Sequence, residues 1–250
     1  MRSEANTSHD VPAAGDPVYW DRRSELDPLA AVIDPADRDG RKNQHIHRIH
    51  ARALERSGVL RPGQQILDFG CGTGRLSEHI HSVTGRVTGV DISPRMVDRA
   101  RAGHGEPGCE FVAFDGERLP FDDASFDGAV SALVLQMYSA EPERFRAIAG
   151  DLARVLRPGA PLVLIERTAP SDGPAWSPGT WARELAPCGL RLETVQPARA
   201  ARATPVSTAV QKGLVPKRLL GAAAGMDLAI ARRRGIRAPY TEALMVARRE

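Results

Sequence analysis

Short apolar runs alternate along the chain with longer segments whose apolar positions recur every three or four residues. The runs are Gln65–Phe69, Arg86–Val90, Cys109–Ala113, Gly128–Ala132, Pro161–Glu166, Leu190–Gln196 and Tyr240–Arg248. Bounded by Gly, Pro or Asp, runs of this length predict strands. Between them, Arg75–Ser82, Pro94–Ala102, Pro142–Arg157 and Gly179–Ala186 predict helices. The clearest stripe is Phe145, Ile148, Leu152, Val155 and Leu156. Strands that alternate with helices predict an α/β fold built on a doubly wound sheet.

Two stretches add to that core. Toward the N-terminus, the pattern predicts a short helix over Trp20–Leu26. A longer one, over Arg41–Ser57, carries Ile46, Ile49, Ala53 and Leu54 on one face and stops at Gly58. Between the last two strands, Val215–Arg233 has helical spacing, with Leu219, Leu220, Ala223, Met226 and Ile230 as its apolar face. The expected division is a disordered tail over 1–16, a helical lid over 17–60, a main domain over 61–199 plus 240–250, and an inserted substrate cap or dimer contact over 200–239.

Composition narrows the class. At 250 residues, 42% of them apolar, the chain is long enough for one sizeable core. No apolar run approaches the roughly 18 residues that span a bilayer, and Met1–Asp16 has no apolar signal core. The expectation is a cytoplasmic protein without a membrane partner. Three scattered cysteines fit reduced thiols. The charge of +3 is mild, and 31 of the 34 basic residues are arginine. This is a uniform bias, so it argues little for nucleic acid. His45, His47 and His50 do not converge on one helical face, so no metal is expected.

The chemistry concentrates in Ile66–Leu76, I-L-D-F-G-C-G-T-G-R-L. An apolar strand ends in Asp68, and Gly70, Gly72 and Gly74 lead into a helix. Such a turn brings backbone N–H groups close to a ligand, because glycine has no Cβ and accepts positive φ. The G-x-G-x-G spacing differs from the dinucleotide loop and from the P-loop. With no Tyr-x-x-x-Lys pattern, a nicotinamide oxidoreductase is disfavoured. Asp91 ends the second strand, 19 residues beyond Gly72. A carboxylate there suits the two hydroxyls of a ribose. Ser93-Pro94 already supplies a helix cap, so Asp91 is not needed for capping.

These segments closely resemble the class I S-adenosylmethionine-dependent methyltransferases of the methyltransferase-11 type, over roughly 61–166. The glycine turn matches their motif I. Phe126-Asp127-Gly-Ala-Val-Ser131-Ala132 matches motif IV, and Arg154-Val-Leu-Arg-Pro-Gly159 leads into strand five as in that family. The resemblance implies a Rossmann-like seven-stranded sheet, parallel except for an antiparallel strand seven between strands five and six. It implies S-adenosyl-L-methionine as cofactor and S-adenosyl-L-homocysteine as product. It assigns to the cofactor Asp68, Gly70, Cys71, Gly72 and Gly74, then Asp91, Ile92 and Met96, then Asp115 and Gly116, with Ser131, Ala132 and the lid residue Tyr19. Trp20, Asn43 and Gln136 fall on the substrate side; many relatives carry a histidine near Gln136. His47, His50 and Glu166 are the candidate bases. The expected reaction is in-line methyl transfer to O or N of a small molecule, such as a secondary metabolite or sugar, by a monomer or homodimer. An RNA methyltransferase and a cofactor-binding fold with a different reaction are the alternatives. No RNA-binding module is visible, and the Asn/Asp-Pro-Pro-Tyr/Phe signature is absent, which counts against exocyclic-amine DNA methylation but not against all nucleic-acid substrates.

Overall fold

A computed structural model describes residues 15–173, 175–200, 203–237 and 240–250. The expected tail therefore lies almost wholly outside the described residues. Seven strands form one sheet: β1 (Ile66–Phe69), β2 (Val87–Asp91), β3 (Cys109–Ala113), β4 (Gly128–Ala132), β5 (Pro161–Thr168), β6 (Leu190–Ala200) and β7 (Thr241–Arg249). Their order is β3-β2-β1-β4-β5-β7-β6. The first five run parallel, and β7 is antiparallel to both neighbours. The order reverses between β1 and β4, which opens a crevice beyond their carboxyl ends.

Helices cover both faces. On one lie α3 (Arg41–Ser57), α4 (Arg75–Thr84) and α9 (Leu220–Arg234). Their Leu54, Leu76, Ile80 and Leu228 share a core with Ile66, Val130, Ile165 and Leu244 of the sheet. Near the sheet edge, α5 (Pro94–Gly103) packs Val97 and Ala100 on Phe111. On the other face, α6 (Pro142–Val155) and α7 (Pro178–Leu185) bring Phe145, Leu152 and Trp181 against Leu67, Leu162 and Met245. Phe145, Trp176 and Trp181 meet edge to face with centroids 4.9–5.9 Å apart, a geometry that adds to the area they bury.

The first helix, α1 (Pro17–Arg23), begins three residues earlier than the apolar pattern indicates. Asp16 caps it, its Oδ1 accepting the Val18 N–H at 2.9 Å, and Pro17 occupies the first turn. Four further helices carry the same signature, an oxygen-bearing cap followed by proline: α5 after Ser93, α7 after Ser177, α2 (Pro28–Val32) after Asp27, and α8 (Pro205–Gln211) after Thr204. The last two are too short to show apolar periodicity. β6 runs on through Pro197 to Ala200, with irregular pairing at Leu192/Thr194 and Pro197/Arg199. It is an edge strand, where a missing proline N–H costs no inner ladder bond.

Among the described residues no helix is long and apolar enough to cross a membrane, and no group of three or more His, Cys, Asp or Glu is gathered to hold a metal.

Candidate active site

The glycine turn between β1 and α4 forms the floor of a cleft at the reversal point of the sheet. Gly70 and Gly72 have φ of +70° and +54°. A Cβ on Gly70 would lie 2.4 Å from Val134, and one on Gly72 2.5 Å from Val32. Both glycines therefore allow close approach at the cleft. Gly74 serves differently: its Cβ would strike His104 at 2.7 Å and press on Ala100 and Phe111 at 3.3 Å. It lets α4 sit close to α5 and β3.

Two carboxylates enter the cleft from the strand ends. Asp91 Oδ2 accepts the Gly72 N–H at 2.9 Å, and its Oδ1 accepts the Ser93 N–H at 2.9 Å. Asp68 Oδ2 accepts the Ser77 hydroxyl at 2.6 Å. Burial pushes each carboxyl up to about 6, against the lowering effect of these bonds. Arg75 lines the same cleft, and burial lowers its guanidinium to about 10. Ile92, Phe114, Met137 and Tyr138 supply an apolar wall, and Trp20 and Val32 close the top.

Beyond β4 the backbone is strained. Leu133 holds φ +62°, a left-handed conformation that costs a non-glycine residue about 1–3 kcal/mol. Glu166 stabilises this bend: its Oε1 accepts the N–H groups of Val134 at 3.0 Å and Leu135 at 2.9 Å. Burial pushes its carboxyl up to about 8, although the amides pull it down.

The cleft brings together Asp68, Gly70, Cys71, Gly72, Asp91, Ile92 and Ala132, all expected there, and Trp20, expected on the substrate side. The other candidates lie elsewhere. Tyr19 packs edge-on against Trp20 at 5.1 Å and accepts a bond from Arg23 at 3.0 Å. Met96 is buried on the inner side of α5, and Ser131 is buried within β4. Asp115 is exposed; its Oδ1 accepts the Glu117 and Arg118 N–H groups, and neither it nor Gly116 lines the cleft. Asn43 donates to the Asp34 carbonyl at 2.9 Å, shaping the entry to α3. Gln136 accepts the Arg167 N–H at 3.1 Å.

None of the three candidate bases lines the cleft. Glu166 faces backbone amides. His50 is fully buried, with Nε2 2.9 Å from Glu242 Oε2. His47 is pushed down to about 3 by burial and then by the neighbouring Arg75, His50 and His79. Residues the sequence did not flag are Arg75, Val32, Phe114, Leu133, Val134, Met137 and Tyr138. Arg75 directly follows the last glycine, and Leu133–Tyr138 directly follow β4, so proximity to the motifs is the signal that could have found them.

A second cavity lies beside α3 at the carboxyl end of β6, lined by Lys42, His45, Arg199, Thr204, Asp227 and Tyr240 among others. His45 Nε2 lies 2.6 Å from Asp227 Oδ2, and the Thr204 hydroxyl donates to Asp227 Oδ1. His45 Nδ1 is buried and has no partner among the described residues. With Nε2–H directed at the carboxylate, Nδ1 is left as an acceptor. A buried chain links the two cavities. Arg75 Nη2 donates to His50 Nδ1 at 3.4 Å, His50 meets Glu242, and Arg199 Nε donates to Glu242 Oε2 at 2.7 Å.

The cleft suits a ligand that carries a ribose, an apolar ring and an amino-acid end. Asp91 retains free lone pairs for a diol. Asp68 and Arg75 offer opposite charges for an ammonium and a carboxylate, and Gly70 and Gly72 leave room for Val134 and Val32 to wall the turn. A family model for the methyltransferase domain matches residues 67–164. Over these residues the chain is similar to methyltransferases.

S-adenosylmethionine carries the ribose, the ring and the amino-acid end that the cleft suits. Curated relatives include the 24-methylenesterol C-methyltransferase 2 of Oryza sativa subsp. japonica, 34% identical over 51% of this chain and 35% of that protein. They also include the malonyl-[acyl-carrier protein] O-methyltransferase of Serratia marcescens, 37% identical over 48% of this chain and 46% of that protein. The chain thus spans about half or less of the length of these relatives. Among solved structures, the geranyl diphosphate C-methyltransferase of Streptomyces coelicolor A3(2) superposes with a TM-score of 0.61 at 17% identity, covering 94% of this chain and 96% of that one; this similarity concerns the fold.

The two raised carboxyls set a pH dependence. A raised acid stabilises the free protein fully below its unfolded value of 3.8, and that contribution is lost as pH rises through about 6. Binding has the opposite sign, because an ammonium and a diol favour the ionised forms. The Kd for S-adenosylhomocysteine should rise as pH falls through about 6, by up to about tenfold per pH unit for each carboxylate that must ionise. Calorimetry across that range reads it, and a flat Kd would separate both groups from the ligand.

Proposed function

We propose that this protein moves the methyl group of S-adenosylmethionine to an oxygen or nitrogen atom of a small molecule. The lid carries this reading. Thr73 Oγ1 donates to the Pro28 carbonyl at 3.0 Å, Ser93 Oγ to Asp21 Oδ1 at 2.5 Å, and Arg99 to the Ser24 carbonyl. α1 and α2 are thus tied across the glycine turn and α5, and Val32 covers Gly72. A cleft roofed in this way favours a compact acceptor over a macromolecular one.

When bound, the cofactor supplies a methyl group on a positively charged sulfur. The protein's part is to hold and orient. Asp91 would hold the ribose hydroxyls, Asp68 and Arg75 the amino-acid end, and Ile92 and Phe114 the ring. Alignment of acceptor and methyl is worth up to about 7–11 kcal/mol in model reactions.

Labelled methyl transfer to a panel of hydroxylated and amino acceptors tests this. Label appearing on carbon would count against the proposal.

A further inference from the structure

The α8–α9 insertion carries a surface that methyl transfer does not explain. From Leu219 to Ala231 the only polar side chain is Asp227, and it points inward to His45 and Thr204. The buried face of α9 is Leu220, Ala223, Ala224, Leu228 and Ala231. The opposite face is open and also apolar: Leu219, Ala222, Met226 and Ala229, with Leu219 47% and Met226 58% exposed. A helix that is apolar all round is ordinarily covered on all sides. Leu214, in the turn between α8 and α9, is 73% exposed.

The rim of this stripe is cationic. Residues 204–240 hold seven Lys or Arg, and Asp227 is their only acid. Lys212, Lys217 and Arg218 lie at the turn, exposed like Leu214. Arg233 and Arg234 are exposed at the far end, about 20 Å away at the 1.5 Å rise of a helix. Arg48 and Arg52 of α3 reach over Gly221 and Gly225 along one side. Among the described residues none of these cations forms an ion pair with an acidic side chain.

We propose that the outer face of α9 and the α8–α9 turn dock on an anionic bilayer surface, with Leu214, Leu219 and Met226 entering the headgroup boundary and the cations meeting acidic headgroups. An apolar strip with basic flanks fits that interface. It fits other occupants less well. Two copies pairing α9 antiparallel would set Lys217 and Arg218 against the partner's arginine run, like charge on like charge. A nucleic-acid strand would meet a strip with no aromatic or hydrogen-bonding side chain. The proposal departs from the expectation of no membrane partner only in surface contact; among the described residues no helix is long and apolar enough to span. The inference stands whichever acceptor is methylated.

Sedimentation of the full chain with vesicles tests it. The protein should pellet with mixed phosphatidylglycerol and phosphatidylcholine, not with phosphatidylcholine alone, and less as salt rises. With about fivefold per cation near the surface, Lys217→Glu with Arg218→Glu should weaken binding at least roughly 25-fold. Leu219→Ser with Met226→Ser should also release the protein. S-adenosylhomocysteine affinity should be unchanged in both variants, showing an intact fold. The proposal is overturned by failure to pellet with the mixed vesicles, by equal binding to phosphatidylcholine alone, or by serine variants that bind like the parent. Binding to a homopolymeric RNA without vesicle binding, or a doubled mass by light scattering in its place, would overturn it too.

Discussion

Asp91→Ala is expected to weaken S-adenosylhomocysteine binding between roughly ten- and 150-fold. The figure follows from the loss of about 1.5–3 kcal/mol, the range for hydrogen bonds to a charged group. The residue also organises the turn itself. Its two oxygens accept the N–H groups of Gly72 and Ser93, so alanine leaves both amides unpaired where the ligand should lie. The stability effect should be smaller than the binding effect, because a carboxyl pushed up to about 6 is already costly to keep ionised in the free protein. Calorimetry with a parallel thermal melt separates the two. An unchanged affinity would remove Asp91 from the cofactor site.

The second large effect is expected at Glu242. This buried carboxylate joins His50 and Arg199. Burial alone would raise it, but the Arg199 charge and the His50 bond overcome that and hold it well below the usual carboxylate range. Removing one member of a buried ionic cluster costs about 3–5 kcal/mol, because the remaining charge is stranded. At about 2–4 °C per kcal/mol for a chain of this size, Glu242→Ala should lower Tm by roughly 6–20 °C. The contribution of a lowered acid is present above its unfolded value of 4.5 and is lost as pH falls below it. The gap between parent and variant should therefore narrow in acid. Replacing the pair by Arg199→Met and Glu242→Leu together should cost less than Glu242→Ala alone. A single-variant loss under about 1 kcal/mol would mean that solvent reaches the cluster.

The sheet and the floor of the cleft were legible because their signals are local. Asp68, the glycines and Asp91 sit at strand ends, where spacing alone places them, and the strand-seven position followed from the family likeness. The histidines of α3 were not legible. His45, His47 and His50 share one helix, and what separates them is the partner each meets from far along the chain. Asp227 lies 182 residues from His45, and Glu242 lies 192 from His50. No periodicity encodes those pairings, so the two histidines weighed as bases are a buried hydrogen-bond partner of Glu242 and a desolvated packing residue. Glu166 was misleading for another reason: a strand-end acid can serve the backbone as readily as a substrate, and the strain at Leu133 that it offsets is invisible in sequence. Asp115 lies exposed, with its Oδ1 accepting two N–H groups of its own turn. In the lid, Asp27-Pro28 marked a helix start that apolar spacing could not show in five residues.

Ser93 occupies an unusual junction. Its amide donates to Asp91 and its hydroxyl to Asp21 of the lid, while the same oxygen accepts the Met96 N–H that starts α5. One residue thus touches the acid that would grip the ribose, the roof above it and the helix beside it. Tilting the roof breaks a bond on the oxygen that also caps α5, so ligand exchange and helix fraying draw on the same contacts. Entry and departure of the nucleoside would then be timed by this three-way knot rather than by the grip of Asp91 alone, and product could outstay its affinity while the roof is down.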